Sequence, residues 1–137
     1  MLREEWKMLE AGAKEAAPTI LVVDDDFQVL SLLREILALK GYRVLTAPSG
    51  REGLDILREN RETATLAILD IQMPDMSGER LFMEMKTVKP GLKVLISSGY
   101  DEKTALHLLG PYGPEGFIQK PYRSAALEGK VREILGG

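Results

Sequence analysis

The chain has 137 residues, 45% hydrophobic and 28% charged, with a formal net charge of −3. That length suits one domain with its own core, and a slightly acidic balance without a basic stripe argues against direct nucleic-acid binding. With no cysteine and His107 as the only histidine, disulfides, thiolate metal sites, a cysteine nucleophile, a Ser-His-Asp triad and a multi-histidine metal centre are all excluded.

Residues 1–17 stand apart as a leader or linker. Leu2, Trp6, Leu9 and Ala13 recur at helical steps, and Gly12 and Pro18 limit the stripe. Two readings stay open: a connector, or a short helix that packs on a partner or a second copy, since Trp6 is costly to leave wet. The segment lacks the apolar stretch of a signal peptide, and no run along the chain is long enough to span a bilayer. A cytoplasmic protein without membrane contact is therefore expected.

From residue 18 to 137 the pattern alternates strand and helix five times. The first strand is expected at 19–23, followed by a helix at 27–39 whose Val29, Leu30, Leu33, Ile36 and Leu37 share a face. Gly41 stops that helix. A strand at 42–46 and a helix at 49–59 follow, the helix capped by Ser49 with Leu54 and Leu57 inward. The third strand is 65–69. Its helix, 77–87, turns Leu81, Phe82 and Met85 inward and is closed by Pro90-Gly91. The fourth pair is 93–97 and 101–109, and the fifth is 116–119 and 123–135. The first, third and fourth strands are continuous apolar runs, the mark of central parallel strands covered on both faces. A (βα)5 series with right-handed crossovers gives an α/β, doubly wound parallel sheet, most simply in flavodoxin-like order 2-1-3-4-5.

In that sheet the strand ends fall side by side. Asp24-Asp25-Asp26 ends the first strand, Asp70 the third, Ser98 the fourth and Lys120-Pro121 the fifth. Carboxylates gathered this closely repel unless a cation joins them, so the cluster calls for a metal ion.

Val22-Val23-Asp24-Asp25, Asp70-Ile71-Gln72-Met73-Pro74, Ser77-Gly78, Ser98-Gly99 and Phe117-Ile118-Gln119-Lys120-Pro121 together resemble the receiver domain of two-component response regulators. The resemblance covers about residues 18–135. It implies that Asp70 is the phosphoacceptor, since a carboxylate can attack phosphorus and form an acyl phosphate. It implies Mg2+ at Asp25 and Asp70 directly, at Asp24 mainly through water, and at the main-chain carbonyl of Gln72. Lys120 would pair with Asp70 and later with a phosphoryl oxygen, its direction set by a cis Lys120-Pro121 bond. Ser98 would donate to the phosphoryl group, beside Gly99, which leaves it room. Phe117 stands where the family has a rotating aromatic switch residue. Asp26 reads instead as the cap of the first helix, and His107 as a surface residue away from the site.

Three departures from the family pattern matter. Ser98 replaces the more usual threonine, Phe117 lacks the hydroxyl of the more usual tyrosine, and Gln72 could orient or hinder water near the phosphoryl group. The resemblance implies a phosphohistidine donor on a histidine kinase or phosphotransfer protein. It implies a response in the face formed by the fourth helix, fifth strand and fifth helix, which is also a candidate homodimer surface. Such a protein is a phosphoacceptor that catalyses only its own phosphorylation and dephosphorylation. With the chain ending at residue 137, the readout is expected in a separate effector protein or domain. Ser98-Gly99-Tyr100 and the run from Gly116 to Tyr122 look closer to receivers of hybrid histidine kinases. The rivals are a degenerate receiver used only for docking and a small Mg-dependent aspartyl-phosphate phosphatase. The latter would want a second acid where Gln72 stands. A flavodoxin would have to place a phosphate against three aspartates.

Overall fold

Continuous apolar runs become the central strands of the computed structural model, which describes residues 17–136. β1 (Thr19–Val23) buries every residue, and β3 (Ala64–Leu69) and β6 (Lys93–Ser98) bury all but one each. β2 (Arg43–Ala47) and β7 (Gly116–Gln119) are more exposed and form the edges. The five strands pair in parallel in the order β2-β1-β3-β6-β7. β6 and β7 are the fourth and fifth strands expected from the sequence, so the expected order holds. The stripe of Leu2, Trp6, Leu9 and Ala13 lies outside the described residues.

Side-chain alternation along the strands divides the core in two. Leu21 and Val23 face one side with Ala67, Leu69, Val94 and Ile96. They pack against α2 (Gly50–Glu59), α3 (Gly78–Val88) and α4 (Glu102–Leu109) through Leu54, Leu57, Phe82 and Leu109. Ile20, Val22, Ile68 and Leu95 face the other side. There they meet Leu33 and Leu37 of α1 (Phe27–Leu39) and Leu127 and Val131 of α5 (Ser124–Ile134). Each fully buried leucine contributes about 1.5–3 kcal/mol relative to an exposed one. With helices on both faces, the rim where the parallel strands end stays open.

Local chemistry starts and stops the helices. Asp26, Ser49, Ser77 and Asp101 cap α1 to α4 by accepting from the N–H of a first-turn residue. α1 ends at Gly41, whose φ of +91° favours a residue without a Cβ. A feature the sequence pattern did not announce follows β3. The chain forms a small antiparallel hairpin, β4 (Gln72–Met73) with β5 (Met76–Ser77), before α3 begins. It doubles back because Gly78 lets Ile71 approach: a Cβ at Gly78 would stand 2.5 Å from the Cβ of Ile71.

Candidate functional site

The rim gathers its charged groups by main-chain bonding as much as by side chains. The N–H of Asp24 donates to the carbonyl of Ala47 at 3.1 Å, and that of Asp70 to the carbonyl of Val23 at 2.9 Å. Both aspartates are thus held to the sheet one residue beyond their strands, and both are buried, at 2% and 6% exposure. Asp25, the next residue, is exposed. One carboxylate oxygen from each of Asp24, Asp25 and Asp70 can be chosen so that all lie within 4.8 Å of one another.

Lys120 reaches into this cluster. Its main-chain N–H donates to the carbonyl of Ser98 at 2.7 Å, which fixes the turn after β7, and the Lys120-Pro121 peptide is cis. The ammonium donates to Asp24 Oδ2 at 2.6 Å and to Asp70 Oδ2 at 3.2 Å. The sequence pointed to Asp70 as its partner, but the shorter bond goes to Asp24, the more buried acid. Asp24 also accepts from the N–H of Asp26 through Oδ1. Asp26 itself caps α1 by accepting from the N–H of Gln28 at 2.8 Å.

Burial pushes the Asp24 carboxyl above its ordinary value, although the hydrogen bonds from Lys120 and Asp26 pull the other way. Burial also works against the Lys120 ammonium, but its hydrogen bond to Asp24 and the charges of Asp70 and Asp24 prevail and raise it. The signs follow. A raised Asp24 contributes stability below its unfolded value near 3.8 and loses it as pH climbs through the folded value. A raised Lys120 contributes below its ordinary 10.5 and loses that only in alkali. In the metal-free protein, Asp24→Asn should therefore melt higher than wild type near pH 7, with the gap closing toward about pH 4. Thermal melts without divalent cation check this. A gap that widens on acidification would contradict it.

Three carboxylates against one ammonium leave two uncompensated negative charges. All the donors are hard oxygens, two of them from buried residues. That set fits a hard divalent cation, for which one open flank at Asp25 leaves room for water.

The other expected residues surround this core. Ser98 is fully buried, and its Oγ accepts from the N–H of Tyr100 at 3.0 Å. The N–H of Gln72 donates to Asp70 Oδ1 at 2.8 Å. The side-chain oxygen of Gln72 lies 3.6 Å from where a Cβ on Gly99 would stand, so the loops after β3 and β6 face each other there. Phe117 is half-buried, pairs in register with Ile96 and packs on the core face shared with α4. His107 is exposed on α4, not at the strand ends. Sequence reasoning gave Tyr122 no role at the site beyond its place in the run from Gly116; its hydroxyl lies 3.2 Å from Ser97 Oγ and ties the Lys120 turn to β6. It also passed over Asp75. Neither residue belongs to a strand-end pattern that could have marked it.

Comparison with known proteins places the chain as a whole. The family model for the response regulator receiver domain matches residues 20–132. The transcriptional regulatory protein GlrR of Escherichia coli strain K12 is 38% identical over 116 residues, 85% of this chain but only 26% of that protein. The sensor kinase CckA of Brucella abortus strain 2308 is 31% identical over 96% of this chain and 14% of its own length. Among solved structures, a CheY-like response regulator receiver domain protein from Methanospirillum hungatei JF-1 superposes with a TM-score of 0.79 at 34% identity. That match covers 88% of this chain and 94% of that one.

Proposed function

The chain belongs to the response regulator receiver domain family, and we propose that it takes a phosphoryl group from a phosphohistidine onto Asp70. The donor is a histidine kinase or a phosphotransfer protein. One observation carries the reading: a single ammonium, Lys120, bonds two buried carboxylates at the ends of different strands, 2.6 Å from Asp24 and 3.2 Å from Asp70. A surface lysine or a turn aspartate has no need of such a constellation.

In the transfer, an Asp70 oxygen forms the new bond to phosphorus. The bond from phosphorus to the donor's imidazole nitrogen breaks, and its electron pair stays on that nitrogen. The protein's part is positioning and charge neutralisation. Magnesium, held by Asp25 and Asp70, by Asp24 mainly through water and by the Gln72 carbonyl, would supply a second positive centre for the phosphoryl oxygens. Lys120 can turn from Asp70 to a phosphoryl oxygen while keeping Asp24. Ser98 can donate its hydroxyl to another, beside the open space at Gly99. The group adds roughly −1.5 to −2 charges to the rim. Drawing Ser98 toward it moves the end of β6, and Phe117, two rungs back on β7, follows. The face of α4, β7 and α5 is then the surface that an effector protein, or a second copy, would read.

The unit that does this is residues 18–137, with 1–17 as leader. Its support is that β1 begins at Thr19 and the family match at residue 20. It acts as a phosphoacceptor in the cytoplasm, where its kinase partner's phosphohistidine would be. The match to the Brucella sensor kinase runs over 96% of the chain, more than the 85% matched by the E. coli regulator, which supports a receiver attached to a kinase. A kinase core in the surrounding reading frame would establish that attachment, and an unrelated neighbour would refute it.

Mass spectrometry after incubation with acetyl phosphate tests the main reading. The expected result is a gain of one phosphoryl group that needs magnesium and is lost with a chelator. A chain beginning at Pro18 should gain it at the same rate. No gain in folded, magnesium-loaded protein would leave a docking module instead.

A further inference from the structure

We propose that Asp75 is a positioning residue: it anchors the segment after Asp70 to the start of α2 and thereby sets how tightly the acidic cluster holds its cation. The proposal rests on the phosphoacceptor reading above. Asp75 sits at the turn of the β4–β5 hairpin and uses both carboxylate oxygens on main-chain donors far away in sequence. Oδ1 accepts from the N–H of Gly50 at 3.1 Å and Oδ2 from the N–H of Arg51 at 3.0 Å. Ser49 takes the N–H of Glu52, so the donors of that first turn are shared between two caps.

The anchor point is itself fixed. A Cβ at Gly53 would stand 2.8 Å from Val23 Cγ2, so α2 lies directly on the end of β1, next to Asp24. At Gly50 a Cβ would stand 3.3 Å from both Cβ and Sδ of Met76, so the hairpin rests on the helix start. The structure therefore closes a ring around the rim. Asp24 connects through β1 to α2, α2 through Asp75 to the hairpin, and the hairpin through Gln72 back to Asp70, whose Oδ1 accepts from the Gln72 N–H. Gln72 is held by that bond and by its pairing with Ser77, and the turn three residues on is held by Asp75. Without Asp75 the hairpin stays joined to α2 by side-chain packing alone, and the Gln72 carbonyl loses its fixed direction relative to Asp24 and Asp25. A carboxylate that only capped α2 would affect the melt and nothing else.

Three full-length proteins decide it: wild type, Asp75→Ala and Asp75→Asn. Magnesium chloride is titrated into each by calorimetry, with thermal melts alongside. Removing an outer-shell partner weakens metal sites by about 10–100-fold. Asp75 acts on one ligand through three residues of chain, so Asp75→Ala should lie at the low end, about tenfold weaker. Asp75→Asn keeps one acceptor oxygen and should fall between Ala and wild type. The magnesium concentration for half-maximal uptake from acetyl phosphate should rise in the same order. Folded Asp75→Ala with wild-type magnesium affinity would overturn the proposal and leave Asp75 a helix cap. If Asp75→Ala does not fold, wild-type affinity in Asp75→Asn overturns it equally. A wild type that neither binds magnesium nor takes up the group overturns both this and the phosphoacceptor reading. A wild type that does both, matched by Asp75→Ala, overturns this alone.

Discussion

Asp70→Asn is expected to take up no phosphoryl group at all. The substitution keeps the shape and the main-chain bond from Asp70 N–H to the Val23 carbonyl, and the amide oxygen can still accept from the N–H of Gln72. What it removes is the anionic carboxylate proposed as the nucleophile. Asp25 is exposed and, unlike Asp24 and Asp70, takes no hydrogen bond from Lys120, so it lacks the countercharge beside the proposed acceptor. Asp24 is committed to Lys120 and to the N–H of Asp26. Mass spectrometry with acetyl phosphate and magnesium should show the unmodified mass only, in a protein whose melt remains cooperative. A mass gain equal to wild type would place the acceptor at another residue.

The second large effect separates neighbours in the aspartate triplet. Asp25→Ala should weaken magnesium binding by more than the roughly 10–100-fold that loss of an outer-shell partner costs, because it removes what is proposed to be a direct oxygen ligand. Asp26→Ala should leave the affinity near wild type and lower stability by about 1 kcal/mol, the usual worth of an N-cap. The Asp26 N–H that bonds Asp24 survives that change, being main chain. Without metal the order reverses: Asp25→Ala relieves repulsion among the carboxylates and should melt higher than wild type. Calorimetry and metal-free melts check both halves. Equal losses of affinity in the two variants would remove the distinction.

The architecture was legible because its signals are local and repeated. Mostly apolar, non-alternating runs at β1, β3 and β6 fit central parallel strands covered on both faces. Leu54 with Leu57, and Leu81 with Phe82 and Met85, fall on one helix face by spacing alone and are buried as expected. The rim residues could be named because each ends a strand and parallel strands end together. Three things could not be read. The β4–β5 hairpin has two residues per strand, too few for any alternation. The preference of Lys120 for Asp24 over Asp70 depends on the reach of a flexible side chain across the rim. The bonds from Asp75 to Gly50 and Arg51 join positions 24 and 25 residues apart with no pattern linking them.

The ion pair between Lys120 and Asp24 spans 96 residues of chain and that between Lys120 and Asp70 spans 50. Both are therefore among the last contacts a chain made from its N-terminus can close. Until β7 docks, Asp24 and Asp70 have no ammonium between them, and burying them costs free energy with nothing to offset it. A nascent chain with only β1 to β6 formed is therefore expected to keep its acidic rim hydrated. On the proposed phosphoacceptor reading, chemical competence and completed folding become one event, and a fragment released early has neither the countercharge nor the fixed acceptor that transfer would require.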